Sequence, residues 1–492
     1  MSRRGAAAAR QLALGASSLL VVVTCGYLTA NLSDRAITVA PRWILLGVLA
    51  GLALAAVIWA ARHDQLLAPL GVASLTMLVF YVARPLQLFL SSDELLHSGY
   101  NTFATPLQVI LNLRAQEITL FVDTRLSGSL DDAFTRAMLG LTAFFVLFLV
   151  GYHSSYGRVL AGRAARIGQR LGDLDLRLII GLWLVIGLAG EVIVLGRAGG
   201  LGGAAANLGS QGNLAVDFSI LVILNFYTVG LLMWLCWHPP TTPVGRIGLA
   251  LAITQLVGFY ALLGSRTLVL VPILLTVVAR NELHRPWRLG VLTLASVLAV
   301  LFSAGYLGTR ESSRQTSFAQ LLPNIPKYAL DVRAILNSEP VFDDYLEETN
   351  YIPGHAPYRY GGEFGQGLLG EVPRVLYPDK PESNDLTFRE LLWANRFSAG
   401  RPVGAAGEFY RDFGIPGILV GALLLGILAR GLAGLRAREG GPGGRSLRAA
   451  MFVAGVVLLY EFLVGSYSLV LGSALEVVIP LLLAVRVFGR PR

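Results

Sequence analysis

Residues 246–280 read "RIGLALAITQLVGFYALLGSRTLVLVPILLTVVAR", two apolar runs joined by Gly264, Ser265 and Arg266. What the arginine means depends on the solvent around it. Of 492 residues 54% are apolar and 14% charged, the mean hydropathy is +0.61, and apolar runs of about twenty residues recur from end to end. Runs of that length span a bilayer, so the quoted stretch is a transmembrane hairpin and its neighbours are further spans. The expected fold class is an all-α polytopic membrane protein.

Apolar length places about twelve spans, near residues 11–31, 43–61, 67–90, 133–152, 177–197, 217–237, 246–263, 267–280, 288–307, 415–435, 449–468 and 472–488. The first follows Ser2, Arg3 and Arg4 and is a long apolar run with no small-residue cleavage site behind it, the pattern of a retained signal anchor. The 55 glycines and 22 prolines fall in loops and inside spans, where glycine lets helices approach closely. Cys25 and Cys236 sit on different spans near opposite membrane faces, which excludes one bridge between them.

A net charge of +9 would suggest nucleic acid in a soluble protein, but here the arginines crowd short loops beside apolar spans, and no nucleic-acid partner is expected. Arg158, Arg163, Arg166, Arg170 and Arg177 follow the fourth span, and Arg436, Arg438, Arg445 and Arg448 follow the tenth. Both segments are therefore expected on the cytoplasmic side, and alternation then puts both termini there too. Three regions result: residues 1–307 with nine spans and an external loop at 91–132, a large external segment at 308–414, and residues 415–492 with the last three spans. Within the large segment, "FAQLLPNIPKYALDVRAIL" has patchy helical periodicity suited to the membrane surface, and "NYIPGHAPYRYGGEFGQG" reads as ordered loop.

Several charges fall where lipid would exclude them. Thr267 to Arg280 spans only about 21 Å of helix against a hydrocarbon core of about 30 Å, so Arg266 is expected below the outer surface, facing protein or a water-filled vestibule. Arg84 lies near the outer end of the third span, where Pro85 should bend the helix. Glu191, Glu461 and Glu476 fall in the outer halves of their spans. Two readings stay open for these groups: paired ions that hold the bundle together, or a functional site. Guanidinium forks match phosphate oxygens in pairs, so an arginine cluster at the outer leaflet suits a diphosphate headgroup.

Two further stretches carry a resemblance. Residues 361–381, "GGEFGQGLLGEVPRVLYPDKP", contain a Pro-Arg, short apolar, Pro-x-Lys-Pro element; residues 404–434, "GAAGEFYRDFGIPGILVGALLLGILARGLAG", contain Gly-Glu-x-Tyr-x-x-Phe-Gly leading into a span. With these, with "GSRT" after an outward-going span and with an arginine near the outer end of an early helix, the chain resembles the Wzy-type O-antigen and exopolysaccharide repeat-unit polymerases. The resemblance implies a GT-C-like membrane fold and a glycosyltransferase at the outer face of the inner membrane. It also implies an undecaprenyl-diphosphate-linked oligosaccharide as donor and acceptor, and partners that include a chain-length regulator protein, a flippase and membrane lipids.

On this reading Arg266 and Arg84 hold diphosphate, and Arg374, Lys380 and Arg411 line the same site; the alternative for each is an ion pair or a solvated loop charge. Glu408 is the candidate for accepting the acceptor hydroxyl proton, or a carboxylate favoured by the N-terminal dipole of the helix it opens. His355 is a second candidate base, or a surface histidine. Asp412, Tyr410 and Trp393 would hold sugar, Asp412 alternatively pairing with Arg411 and the rings alternatively packing the lid. No HxxxH or cysteine pattern has metal-ligand spacing, and arginines can stabilise a leaving diphosphate without metal or other cofactor. Two alternatives remain: an O-antigen ligase using the same donor class, and a lipid-linked oligosaccharide flippase. A lipid-phosphosugar transferase with acidic pairs in its first outer loop fits poorly, because that loop offers only Asp34, while pairs such as Asp343 with Asp344 come later.

Overall fold

The computed structural model describes residues 36–63, 65–90, 130–167, 175–200, 218–262, 266–283, 341–354, 356–362, 364–365, 369, 377, 379, 403–436 and 442–488. Regular structure among the described residues is entirely helical. In chain order the helices are α1 (Ala36–Arg62), α2 (Pro69–Thr76, continued by a π-helical stretch Met77–Val82 and by Ala83–Leu90), α3 (Leu130–His153), α4 (Ser155–Ala164), α5 (Arg177–Arg197), α6 (Phe218–Trp237), α7 (Pro243–Leu262), α8 (Arg266–Leu283), α9 (Val341–Tyr351), α10 (Gly404–Ala433), α11 (Pro442–Val464) and α12 (Tyr467–Leu483, with a π-helical end Ala484–Phe488).

Seven of these contain a stretch long and apolar enough to cross a membrane: Trp43–Arg62, Pro69–Leu86, Phe134–His153, Arg177–Arg197, Pro243–Tyr260, Gly404–Ala433 and Gly444–Val464. The expected spans at 11–31 and 288–307 lie outside the described residues; each of the others coincides with a helix. Outward-facing stripes are apolar, with Leu178, Val185 and Val192 exposed on α5 and Val420, Leu424 and Leu428 on α10. A water-soluble bundle would put polar side chains there; a lipid-facing one does not. The chain is an all-α polytopic membrane protein by the length and composition of its helices.

Two cores organise the bundle. One joins α1, α2, α3, α9 and α10 through residues such as Leu49, Phe144, Phe145, Phe342 and Ile418. The second joins α5, α6, α7, α8 and α12 through residues such as Ile180, Leu231, Met233 and Val278. Helix α11 serves both, giving Val453, Val456 and Val457 to the second and Leu459, Leu463 and Val464 to the first. Small residues set the α3–α10 distance: a Cβ on Gly426 would collide with the carbonyl of Phe148, and one on Gly151 with that of Leu423. Close backbone approach of this kind drives helix association where lipid removes the hydrophobic term.

Polar contacts fix the two ends of the bundle. Arg436 Nε lies 3.0 Å from Glu282 Oε2, Arg448 Nη1 donates to the carbonyl of Ala165 at 2.8 Å, and His238 stands 3.7 Å from Asp175. The arginine-rich segments after α3 and α10 therefore share one end with the C-termini of α6 and α8. At the other end, the Tyr81 hydroxyl donates to Leu463 O at 2.7 Å, tying α2 to the end of α11, and α9 packs against α3, α10 and the π-helical stretch of α2.

One expectation is revised. Helix α8 has 18 residues, not fourteen. It begins at Arg266 and continues past Arg280 to Leu283, where Glu282 meets Arg436, a length of about 27 Å. Residues 404–413 are helical and form the first third of α10. The expected bend at Pro85 is taken up upstream: proline cannot accommodate the carbonyl four residues before it, and the widened turns of Met77–Val82 lie there, with Ala83 N–H donating to Leu78 O. Cys236 is buried and free.

Candidate functional site

Helix α10 breaks at Gly414, which has φ 67° and ψ −151°, a conformation open only to glycine. Pro416 explains the position. It has no N–H, so the carbonyl of Asp412 loses its helical donor, and the break leaves the carbonyl of Arg411 unpaired as well. The loop after α9 supplies both: Arg359 N–H donates to Arg411 O at 3.0 Å and Tyr360 N–H to Asp412 O at 2.8 Å. Gly361 N–H then donates to Asp412 Oδ1 at 3.1 Å. The family-like motif of residues 407–414 is thus a short helix ended by its own final glycine and stapled to the loop at 359–361.

That short helix presents Glu408, Arg411 and Asp412 at i, i+3 and i+4, and all three are buried. Helix α9 packs against it and carries Asp344, Glu347 and Glu348, also buried. Arg411 Nε lies 2.6 Å from Glu348 Oε1. Gly407 permits the approach, since a Cβ there would stand 2.7 Å from Glu348 Oε2. Tyr410 donates its hydroxyl to Ile352 O at 2.9 Å, and its ring meets those of Tyr345 and Tyr358 edge-on at 6.4 Å and 6.0 Å. Burial pushes the Tyr345 hydroxyl well above its usual range, and the charge of Glu348 adds to the effect, so it stays a neutral phenol.

The expected site residues fall into three groups. Glu408, Tyr410, Arg411 and Asp412 come together on the short helix, with Arg411 engaged by Glu348 and Asp412 by the Gly361 N–H. Arg84 is buried on α2, two residues after the π-helical stretch that touches α9. Arg266 opens α8, which packs against α6, α7 and α11 in the second core. His355, Arg374, Lys380 and Trp393 lie outside the described residues, as do the stretch "FAQLLPNIPKYALDVRAIL" expected at the membrane surface and, apart from Tyr377 and Asp379, the Pro-x-Lys-Pro element.

The intramembrane carboxylates have a third kind of partner, neither arginine nor open water. Gln255 Nε2 donates to Glu191 across α7 and α5, Asn225 Nδ2 to Glu476 across α6 and α12, and Ser473 hydrogen-bonds Glu461. Sequence reading missed Glu347 and Glu348 and used Asp344 only against a different enzyme class. The signal was present: in "VFDDYLEETNY" the acids Asp344 and Glu348 share a helical face while Val341, Phe342, Tyr345 and Leu346 are apolar, a mixture that water alone does not select. Among the described residues no three His, Cys, Asp or Glu side chains converge as metal ligands. No family model, curated protein or solved structure matches the chain.

Proposed function

We propose that this chain is a glycosyltransferase that polymerises lipid-linked oligosaccharide repeat units at the outer face of the inner membrane, with twelve spans, both termini cytoplasmic and residues 308–414 outside. The observation that carries the reading is the burial of Glu408, Arg411 and Asp412 on the broken start of α10, at the end of the bundle opposite the arginine-rich segments. Buried ionisable groups at a broken helix are costly and mark sites where charge is used.

In the reaction, the hydroxyl oxygen of the incoming repeat unit forms a bond to the anomeric carbon of the growing chain. The bond from that carbon to the diphosphate oxygen breaks, and the polyprenyl diphosphate leaves with the electron pair. The hydroxyl proton passes to the carboxylate of Glu408. Arg84, Arg266, Arg374 and Lys380 supply the fixed positive charge that the leaving diphosphate needs, with no metal or other cofactor. The Glu348–Arg411 pair and the Gly361–Asp412 bond hold the short helix in place, so Arg411 and Asp412 act as positioning residues while Tyr410, Trp393 and His355 border the sugar.

Deleting the gene and separating surface polysaccharide on a gel tests this. Loss of the polymer ladder with single-repeat chains still present is expected, restored by the wild-type chain and not by Glu408→Gln at equal membrane level. Absence of single repeats would point instead to a flippase, and accumulation of unattached polymer to a ligase. A full ladder from Glu408→Gln would remove Glu408 from the reaction.

A further inference from the structure

The break in α10 also fixes a depth. Arg430 lies in the last turn of α10 and Arg436 just beyond it, so the helix ends at the arginine-rich end of the bundle. From Ile415 to Ala433 the helix rises about 28 Å, close to the roughly 30 Å of a hydrocarbon core. The break at Gly414 therefore falls at the opposite boundary between hydrocarbon and headgroups. Val420, Leu424 and Leu428 form the exposed, lipid-facing stripe of this helix, and the exposed positions that continue it to the break, Pro416, Ile415 and Phe413, are apolar too.

The loop stapled to the break adds a second exposed ring. Tyr360 is 74% exposed and Phe413 49%, and the Phe413 ring reaches Gly361, where an added Cβ would meet it at 3.4 Å. Tyr360 has φ 50°, in the left-handed region that a bulky side chain rarely enters. The staple holds that backbone: Arg359, Tyr360 and Gly361 donate three successive N–H groups to Arg411 O, Asp412 O and Asp412 Oδ1. Relaxing φ to turn the ring inward would disturb the last two. Glycine or asparagine would adopt the same backbone at less cost, so a tyrosine here points to a use for its ring, which stands edge-on to Tyr358 at 6.4 Å and is otherwise left in the open. Two exposed rings suit a lipid boundary better than water. Tyrosine prefers that boundary, with its ring in hydrocarbon and its hydroxyl among headgroups, and phenylalanine prefers the hydrocarbon beside it.

We propose that Tyr360 and Phe413 dock into the lipid leaflet at this boundary, so that the membrane surface itself holds the loop at 356–362 and, through its three N–H bonds, the short helix that carries Glu408. The inference requires α10 to span the bilayer and does not depend on the glycosyltransferase reading.

The test places a nitroxide spin label on Gly362→Cys in the full chain carrying Cys25→Ser and Cys236→Ser, reconstituted in phosphatidylcholine vesicles. Gly362 is exposed, and the nearest atom to an added Cβ is Arg359 Cβ at 3.7 Å, an ordinary contact, so the label disturbs neither ring. Collision rates with oxygen, which concentrates in lipid, and with a water-soluble nickel chelate report its depth. With both native rings present the oxygen-to-nickel ratio should be several-fold above that of free label in buffer. Tyr360→Ser combined with Phe413→Ser should bring it down to the aqueous value, whereas Tyr360→Trp, which keeps an interfacial ring, should preserve it. Where the double variant does not elute from size exclusion as the native protein does, Tyr360→Ser alone, at an exposed side chain, makes the same comparison. An aqueous ratio with both native rings present overturns the proposal and leaves the rings to a soluble partner. A high ratio that the folded serine variant leaves unchanged overturns it as well, since the loop would then lie in lipid without help from the rings.

Discussion

Arg411 on α10 and Glu348 on α9 meet with Nε 2.6 Å from Oε1, and their side chains are 3% and 0% exposed. The pair joins residues 63 positions apart in the chain and sits beside Gly407, whose missing side chain lets the carboxylate reach the helix. In so dry a place neither charge is tolerable without the other, so the contact fixes the register of α9 on α10 and with it the position of Glu408 one turn earlier.

Removing either partner should therefore be costly. Glu348→Gln or Arg411→Gln is expected to destabilise the protein by about 3–5 kcal/mol, because the remaining charge stays buried. The double variant should lose clearly less than the sum of the two. Thermal unfolding of the four proteins in detergent gives the comparison; additive losses would mean that the pair is not coupled.

Gly414→Ala should cost about 1–3 kcal/mol, since no other residue adopts its backbone angles cheaply. A Cβ there would also stand 2.9 Å from the Tyr358 ring. Adding Tyr358→Ala should relieve the steric share and leave the backbone share, so the double variant should recover only partly in the same unfolding assay. Complete recovery would assign the whole effect to the ring.

Glycines that look alike in the sequence should behave differently. Gly426→Val should abolish a monodisperse peak in fluorescence-detected size exclusion, because the added atoms meet the backbone of α3 at Phe148. Gly162→Ala and Gly181→Ala have open space around the new carbon and should express normally, with a gain of up to about 1 kcal/mol from helix propensity. A Gly426→Val protein of normal yield would show that α3 and α10 do not pack at this distance.

The amide–carboxyl contacts of the second core predict a tolerant Glu191. Glu191→Gln keeps an acceptor for Gln255 and avoids burying a carboxylate, so stability should be unchanged or slightly raised, whereas Glu191→Leu strands the amide at a cost of about 0.6–2 kcal/mol. Glu476→Gln opposite Asn225 should behave the same way. If Glu191→Gln folded normally yet lost the polysaccharide ladder, the residue would have a role beyond packing.

How much of this was legible in the sequence depended on whether the cause was local. Arg177–Arg197 is bounded as apolar length and flanking arginines place it, and the break of α10 falls at the Gly-Ile-Pro-Gly run where the last external segment was ended. Span length, proline without a donor and glycine at positive φ act within a few residues, so a chain read in one dimension contains them. The motif around Glu408 could likewise be singled out, and the acids of α9 could have been, from their spacing.

Partnership was decided only in three dimensions. Arg411 was a candidate for diphosphate or for its neighbour Asp412, yet successive residues of a helix point about 100° apart, and the helix turns Arg411 toward Glu348 while Asp412 takes the Gly361 N–H. Glu191, Glu461 and Glu476 were grouped with Arg84 and Arg266 by depth, but depth does not give angular position around a bundle, and packing hands the glutamates to Gln255, Ser473 and Asn225. Arg266 begins a helix that packs in the second core, while Arg84 follows the π-helical stretch whose Met77, Tyr81 and Val82 belong to the first. The sequence by itself determined which of the described segments are long apolar helices, because that follows from length and backbone chemistry. Which charged side chain faces which other followed from the rotation and neighbours of each helix, which only the packed structure sets.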